Sequence, residues 1–243
     1  NKNDTAKVMV KITDFNGNIS KLHFSIGSDT ANAAQVRGGK KLKWDCDNHL
    51  SVDGCKVSLD SATLFYDNGV QISRVGTKKY SPSFKVGDEA LALKKQFLIS
   101  ITDSMLPPEY RDKAFICREI NKKTSYLTTS CEDGFLTAKS NRFGSFYILV
   151  DTIAPKIQPL GLYSDMTGKS FIEFKITDNL AEIASYNIYI NDNWVLGEYE
   201  PKKSSLRYYF DNRLPKTELY KLKVSVADNQ NNESNFEFEF IRK

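Results

Sequence analysis

The sequence predicts an all-β protein made of tandem β-sandwiches. Apolar and polar residues alternate along many short segments, helical periodicity is nearly absent, and turn-forming stretches such as "DFNGN" at 14–18 and "DNQNN" at 228–232 separate the segments. An alternation of period two places successive side chains on opposite faces of a strand, so that one face can be buried. The twelve Tyr and fifteen Phe residues also favour strands, because aromatic side chains pack well on a pleated surface.

The alternating segments lie near both ends of the chain and at intervals between them. Their apolar residues are Val8/Val10/Ile12, Leu22/Phe24/Ile26, Phe97/Ile99/Ile101, Phe146/Ile148/Val150, Ile172/Phe174/Ile176, Tyr186/Ile188/Ile190, Leu206/Tyr208/Phe210, Leu222/Val224/Val226 and Phe236/Phe238/Phe240. The strands between residues 27 and 150 are less regular, and "MLPPEYRDKAFIC" at 105–117 indicates an irregular connection with room for one helical turn near 108–113.

Three units are expected along the chain: residues 1–26, a middle β-sandwich over 27–153, and an immunoglobulin-like domain over 154–243. The clearest boundary is "VDTIAPKI" at 150–157, where a strand ends at Val150 and Pro155 forces an extended entry into the next unit. About six strand candidates follow in some 90 residues, which is the size of an immunoglobulin-like sandwich.

The first unit repeats the end of the last one. Without a gap, "KITDFNGNISKLHFSI" at 11–26 aligns with "SVADNQNNESNFEFEF" at 225–240, so that Asp14 falls on Asp228, Asn18 on Asn232 and Phe24 on Phe238. Residues 1–26 are therefore predicted to be the last hairpin of an incomplete immunoglobulin-like domain. Because two strands alone hold no stable core, the chain is expected to be the C-terminal portion of something longer.

Four cysteines, at positions 46, 55, 117 and 131, form no C-x-x-C pair, which argues against a zinc ribbon or a thioredoxin motif. In an exported protein they could form two local disulfides. Cys46 and Cys55 flank the turn-rich stretch "DNHLSVDG", and Cys117 could pair with Cys131. The alternative, that these cysteines are small buried apolar residues, stays open.

No catalytic residue and no metal ligand is predicted within the chain. Of its two histidines, His49 lies four positions before Asp53, but no His-x-His pair follows to complete a zinc site. The chain also lacks a G-x-S-x-G elbow, a P-loop and a dinucleotide fingerprint. Calcium binding through the Asp- and Asn-rich loops at 14–18 and 228–232 remains an alternative, although each loop holds few acidic residues for a strong site.

The distribution of charged and apolar residues along the chain limits the kinds of partner that are expected. The formal net charge is +4, with Lys and Arg scattered along the chain, so no nucleic-acid partner is predicted. No apolar stretch reaches the length of a membrane span. Trp194, in "INDNWVLGEY", fills the core or rim of its domain or else presents a ring to a sugar, and Trp44 is a second candidate for stacking on a glycan.

Several stretches together resemble the β-sandwich tail of lysostaphin-type zinc metallopeptidases of the Bacteroidetes sort, which are peptidoglycan endopeptidases. These stretches are "VKITDFNGNISKLHFSI" at 10–26, "RFGSFYILVDTIAPKI" at 142–157, "FKITDNLAEIASYNIYINDNWVLGEYEP" at 174–201 and "KVSVADNQNNESNFEFEFIRK" at 223–243. The resemblance implies a non-catalytic spacer, targeting or regulatory region, with the zinc and the peptidase domain upstream in the same protein.

The same resemblance implies a location in the periplasm, on the outer membrane surface or outside the cell. The expected partners are the upstream peptidase domain and peptidoglycan or another glycan. The alternative function is a stand-alone surface adhesin or carbohydrate-binding protein, in which aromatic side chains such as Trp194 and Trp44 stack on sugar rings.

Overall fold

The computed structural model describes residues 5–27, 39–211, 214 and 216–243, and it confirms the all-β fold. The expected start of the middle unit, after residue 26, adjoins residues 28–38, which lie outside the described part of the chain. Every alternating segment named above lies in a strand or ends beside one. No helix in the described ranges has the length and apolar character needed to cross a membrane.

The first unit is a single antiparallel hairpin of two strands, β1 (Thr5–Thr13) and β2 (Ile19–Gly27). Its apolar side chains stay largely exposed: Ile12 is 65% exposed and Leu22 61%. The positions that align with Val10 and Ile12 in the repeat, Val224 and Val226, are 0% and 1% exposed. The two copies therefore share a strand pattern, but only the second copy buries its apolar face.

The turn between β1 and β2 has the same set of hydrogen bonds as the C-terminal turn at 228–232. Asp14 Oδ1 accepts hydrogen bonds from the backbone N–H groups of Asn16 and Asn18, at 3.0 and 2.8 Å, and Asp14 Oδ2 accepts one from Asn18 Nδ2 at 2.8 Å. These bonds, led by the one from the Asn18 side chain, hold the pKa of Asp14 below its usual value. A short Asp side chain thus satisfies the backbone of the loop, as in an Asx turn.

The middle unit pairs two five-stranded antiparallel sheets, with a small two-stranded sheet beside them. Its strands are β3 (Lys40–Leu42), β4 (Asn48–Val52), β5 (Cys55–Leu59), β6 (Asn68–Val70), β7 (Ile72–Thr77), β8 (Pro82–Val86), β9 (Phe97–Thr102), β10 (Ala114–Ile120), β11 (Lys123–Leu127), β12 (Thr129–Glu132), β13 (Phe135–Ser140) and β14 (Gly144–Val150). One sheet has the order β11-β10-β14-β8-β7, the other β12-β13-β9-β5-β4, and β3 pairs with β6.

Aromatic and branched side chains from both large sheets fill the core of the middle unit. Phe97 lies 5.1 Å from Phe143 and 6.0 Å from Phe146, measured between ring centroids, and all three are at most 1% exposed. The helical turn allowed by the sequence is present as a 3₁₀ helix, Pro108–Lys113, which leads into β10. Proline at the start of this helix needs no hydrogen-bond partner for a backbone N–H, so it fits there.

The C-terminal unit is a sandwich of two four-stranded sheets, ordered β15-β16-β20-β19 and β18-β17-β21-β22. Its strands are β15 (Lys156–Leu160), β16 (Phe171–Thr177), β17 (Ile183–Ile190), β18 (Asn193–Val195), β19 (Glu198–Glu200), β20 (Ser205–Tyr209), β21 (Tyr220–Asp228) and β22 (Glu233–Phe240). Fully buried Phe174, Leu206 and Val224 lie in the core between the sheets. The strands that align with the N-terminal hairpin, β21 and β22, contribute Val224, Val226 and Phe240 to this core.

Neither predicted disulfide is formed, and all four cysteines are free. Cys55 and Cys117 are fully buried, whereas Cys46 and Cys131 are exposed, so each expected pair joins a buried position to an exposed one. Cys55 belongs to the core of the middle unit, and Cys117 faces the C-terminal unit. Cys55 and Cys117 therefore fit the alternative, in which the cysteines are small buried apolar residues.

Thiol labelling of the native chain should therefore modify Cys46 and Cys131 and spare Cys55 and Cys117. Burial raises the pKa of the Cys55 thiol to about 12, and the same cause does so for Cys117, so neither forms the reactive thiolate at neutral pH. Mass spectrometry after iodoacetamide treatment should find two labels on the native chain and four in denaturant. Native chain without any label would show that the exposed cysteines are oxidised.

Candidate functional site

The junction between the middle and C-terminal units brings together three aspartates, each at or just beyond the end of a strand. Asp151 follows β14 and lies in the segment that connects the two units. Its Oδ1 accepts a hydrogen bond from the backbone N–H of Ile153 at 3.0 Å, and its Oδ2 accepts one from the N–H of Ala181 at 3.1 Å. Because Ala181 belongs to the C-terminal unit, Asp151 ties the end of one sandwich to a loop of the next.

Asp178 follows β16 and is held in place by the loop that it starts. Its Oδ2 accepts three backbone hydrogen bonds, from Leu180, Ala181 and Glu182, at 2.9, 2.7 and 3.0 Å. Its Oδ1 is buried and has no hydrogen-bond partner among the residues that the structure describes. One oxygen of this carboxylate is therefore fixed by the backbone while the other stays unpaired.

Asp228 ends β21 and repeats the role of Asp14, but inside the protein. Its Oδ1 accepts hydrogen bonds from the backbone N–H groups of Gln230 and Asn232, both at 2.8 Å, and its Oδ2 accepts one from Asn232 Nδ2 at 2.8 Å. Asn232 Nδ2 also donates to the backbone oxygen of Asp151 at 3.0 Å. The repeated Asp and Asn pair thus closes its own loop and also reaches across the junction.

Asp151, Asp178 and Asp228, called the junction triad below, each offer one carboxylate oxygen, and these oxygens lie within 4.8 Å of one another. Asp151 is 0% exposed and Asp228 1%. Burial raises the pKa of Asp151, and the negative charges of Asp178 and Asp228 add to the rise. Within the described ranges the triad is the one group of three or more His, Cys, Asp or Glu side chains that could share a metal ion.

No lysine or arginine in the described part of the chain forms an ion pair with the junction triad. Lys113 crosses the junction, but its Nζ donates to the backbone oxygens of Gln230 and Asn231, at 2.7 and 3.2 Å. These two bonds tie the end of the 3₁₀ helix to the turn after β21. The Lys113 ammonium group therefore does not form an ion pair with any of the three carboxylates.

An apolar cluster accompanies these polar contacts across the junction. Phe115 and Cys117 on β10 and Tyr147 on β14 form one side, and Ala181 with Leu180 forms the other. Phe115, Cys117 and Ala181 are at most 1% exposed, and Tyr147 is 5% exposed. The outer face of one sheet of the middle unit is therefore buried by a loop of the C-terminal unit.

The predicted stacking residues are exposed, but they lie in separate units. Trp194 is on β18 and 57% exposed, and its indole N–H donates to Asn187 Oδ1 at 3.1 Å. It borders a shallow cavity of about 560 Å³ that Leu196, Glu198 and Tyr209 also line. Trp44 is 45% exposed in a turn after β3. The structure does not bring the two rings together into one platform.

The His49 and Asp53 pair, rejected as a zinc site from the sequence, lies at the hairpin of β4 and β5. His49 Nδ1 is 3.0 Å from Ser58 Oγ on the neighbouring strand, and both His49 and Asp53 are exposed. Neither belongs to the junction triad. The loop at 228–232, named above as an alternative calcium site, contributes Asp228 to the junction triad. Nothing in the sequence marks Asp151 and Asp178 as neighbours of this loop.

Comparison with known proteins gives one partial similarity. Residues 39–151 match the family model of the Zu5-like domain. The match covers the middle unit from just before β3 to Asp151, which is under half of the chain. No curated protein matches the chain.

Proposed function

We propose that this chain is a non-catalytic β-sandwich tail that acts as a stiff spacer for a cell-wall zinc endopeptidase domain located upstream in the same protein. The protein would work in the periplasm, on the outer membrane surface or outside the cell. The observation that carries the proposal is the junction, where buried polar and apolar contacts join the two sandwiches. The peptidase itself enters only through the resemblance of residues 10–26, 142–157, 174–201 and 223–243 to the tails of such enzymes.

A stiff spacer needs a junction that resists bending, and the contacts described above supply that resistance. Buried hydrogen bonds contribute about 1 kcal/mol each, and leaving one partner unpaired costs about 1–3 kcal/mol. Asn232, Lys113 and Asp151 all bridge the two units. The apolar cluster around Ala181 adds burial on both sides of these bonds. Bending at residues 151–155 would break several contacts at once.

Removing the Asn232 side chain should loosen the junction. Asn232→Ala leaves the Asp151 backbone oxygen and Asp228 Oδ2 without their donor, at a cost of about 1–3 kcal/mol. Small-angle X-ray scattering in EDTA should show a larger radius of gyration and a broader distance distribution than for the unaltered chain. The matched control is Asn235→Ala, because the exposed Asn235 side chain donates a hydrogen bond to Glu233 within the same strand and should leave the scattering unchanged when removed. An unaltered chain that is flexible both in EDTA and in the presence of calcium would contradict the spacer.

The same preparation tests whether the chain acts on the cell wall itself. Incubated with purified peptidoglycan, it should release no fragments, and metal analysis should find no stoichiometric zinc; hydrolysis or bound zinc would overturn the proposal. Co-sedimentation with peptidoglycan addresses the alternative, because Trp194 presents a fixed and exposed indole ring. Tight binding that Trp194→Ala abolishes and Trp44→Ala preserves would favour a carbohydrate-binding protein instead.

A further inference from the structure

The junction triad concentrates negative charge at a site where Asp151 and Asp228 are buried and Asp178 is partly buried. Two of its three carboxylates, on Asp151 and Asp228, are almost completely buried, and none of the three has an ion-pair partner in the described part of the chain. Burying an unpaired carboxylate costs several kcal/mol, so buried charges in proteins are normally paired or coordinate a metal. A bound cation would therefore stabilise these three neighbouring carboxylates.

A second observation points to the same conclusion. Asp178 Oδ1 is a buried oxygen that accepts no hydrogen bond from the described part of the chain, while Oδ2 of the same side chain accepts three. Buried polar atoms almost always have partners, and one without a partner requires an explanation such as an ion. The backbone bonds to Oδ2 fix the orientation of this carboxylate and leave Oδ1 as a preformed acceptor.

We propose that the junction triad binds one calcium ion between the middle and C-terminal units. The ligands on offer are all oxygens, which suits a hard cation, whereas zinc sites in proteins are usually built with His or Cys. Calcium takes 6–8 oxygens at about 2.3–2.6 Å, so two ligands on one ion can lie up to about 5 Å apart. The 4.8 Å spread of the triad oxygens fits this range. Water and backbone oxygens complete the shell.

The bound ion would act as a cross-link. Asp151 comes from the segment that leaves the middle unit, and Asp178 and Asp228 come from strand ends of the C-terminal unit. One cation shared by these carboxylates replaces their mutual repulsion with attraction and so strengthens the junction. The cation site does not depend on the spacer function, and a chain that binds calcium could still prove to be an adhesin.

The N-terminal hairpin provides an internal control for this site. Asp14 has the same loop and the same hydrogen bonds as Asp228, but it is exposed and belongs to no metal-binding group in the described ranges. The loop alone therefore does not make the site. The additional carboxylates of Asp151 and Asp178 distinguish the C-terminal copy from the N-terminal one.

Isothermal titration of the EDTA-stripped chain with CaCl₂ should give one site per chain, with a dissociation constant below about 1 mM, the weak limit of extracellular calcium modules. The melting temperature should rise with calcium concentration, since the ion binds only the folded state. Magnesium should bind more weakly, because it demands a smaller octahedral site. Asp178→Asn should weaken calcium binding by about tenfold or more, and Asp14→Asn should leave it unchanged.

The order of stability of Asp178→Asn and the unaltered chain should reverse between EDTA and calcium, which a purely structural role of Asp178 would not produce. In EDTA, Asp178→Asn should be at least as stable as the unaltered chain, because it removes one of three repelling charges; in calcium it should be the less stable. Asp151→Asn, which keeps an acceptor oxygen, provides a second test if Asp178→Asn fails to fold. The proposal is overturned by an absence of heat and of any melting shift up to about 10 mM calcium. It is also overturned by unaltered binding in both junction variants.

Discussion

Phe146→Ala should destabilise the middle unit by about 3–5 kcal/mol, the usual cost of truncating a buried phenylalanine to alanine. Phe146 is 0% exposed and lies on β14, in contact with Phe97. The cavity left between the two five-stranded sheets would have no side chain near enough to fill it without repacking. Urea unfolding followed by fluorescence should show the loss as a lower midpoint.

The chain offers a direct way to assign that loss to one unit. It contains two tryptophans, Trp44 in the middle unit and Trp194 in the C-terminal unit, so a Trp194→Phe background reports on the middle unit alone. The matched control is Phe65→Ala, because Phe65 is 53% exposed and its ring lies 5.8 Å from Lys94 Nζ. This control should cost less than about 1 kcal/mol. An equally large loss from both variants would contradict the assigned core.

Gly87→Ala is expected to have the second-largest effect, about 2–5 kcal/mol. Gly87 has φ +60°, a left-handed conformation that costs a residue with a side chain about 1–2 kcal/mol. A Cβ at this position would also lie 2.6 Å from Cδ2 and Cγ of Phe143, which is completely buried. Relieving that overlap would shift the ring and repack its neighbours, at a further cost of about 1–3 kcal/mol.

Gly134→Ala separates the two causes. Gly134 lies in the same unit and is also left-handed, at φ +76°, but an added Cβ would meet only Asp103 Oδ1 at an ordinary 3.6 Å. It should therefore show the conformational cost of about 1–2 kcal/mol and little more. Equal losses for both substitutions, measured in the Trp194→Phe background, would mean that Phe143 moves aside without cost.

The strands with strict alternation could be predicted because their pattern is local. Residues 172–176, 222–226 and 236–240 alternate with period two, and each lies within a strand of the structure. Strand β10 carries too many consecutive apolar residues to be recognised from alternation alone. In β10, Ala114, Phe115, Ile116 and Cys117 are all buried, because one face lies in the core and the other faces the C-terminal unit.

The cysteines illustrate a different limit. Their spacing made two local disulfides plausible, but spacing does not reveal on which side of a sheet a residue points. Cys55 lies inward on β5, and Cys46 lies in the exposed turn before β4. Whether two thiols can meet depends on the directions of their Cα–Cβ bonds, which only the folded sheet defines.

The sequence by itself determined the all-β class and the repeated Asp and Asn loop, and it left room for the helical turn at 108–113, because each depends on residues that are close along the chain. Only the tertiary structure decided that Asp228 meets Asp151 and Asp178, while its repeat partner Asp14 remains in water. The two loops are almost identical in their hydrogen bonds. They differ because strand pairing and the packing of one sandwich against the next bring two distant carboxylates to Asp228, whereas Asp14 joins no such group within the described ranges.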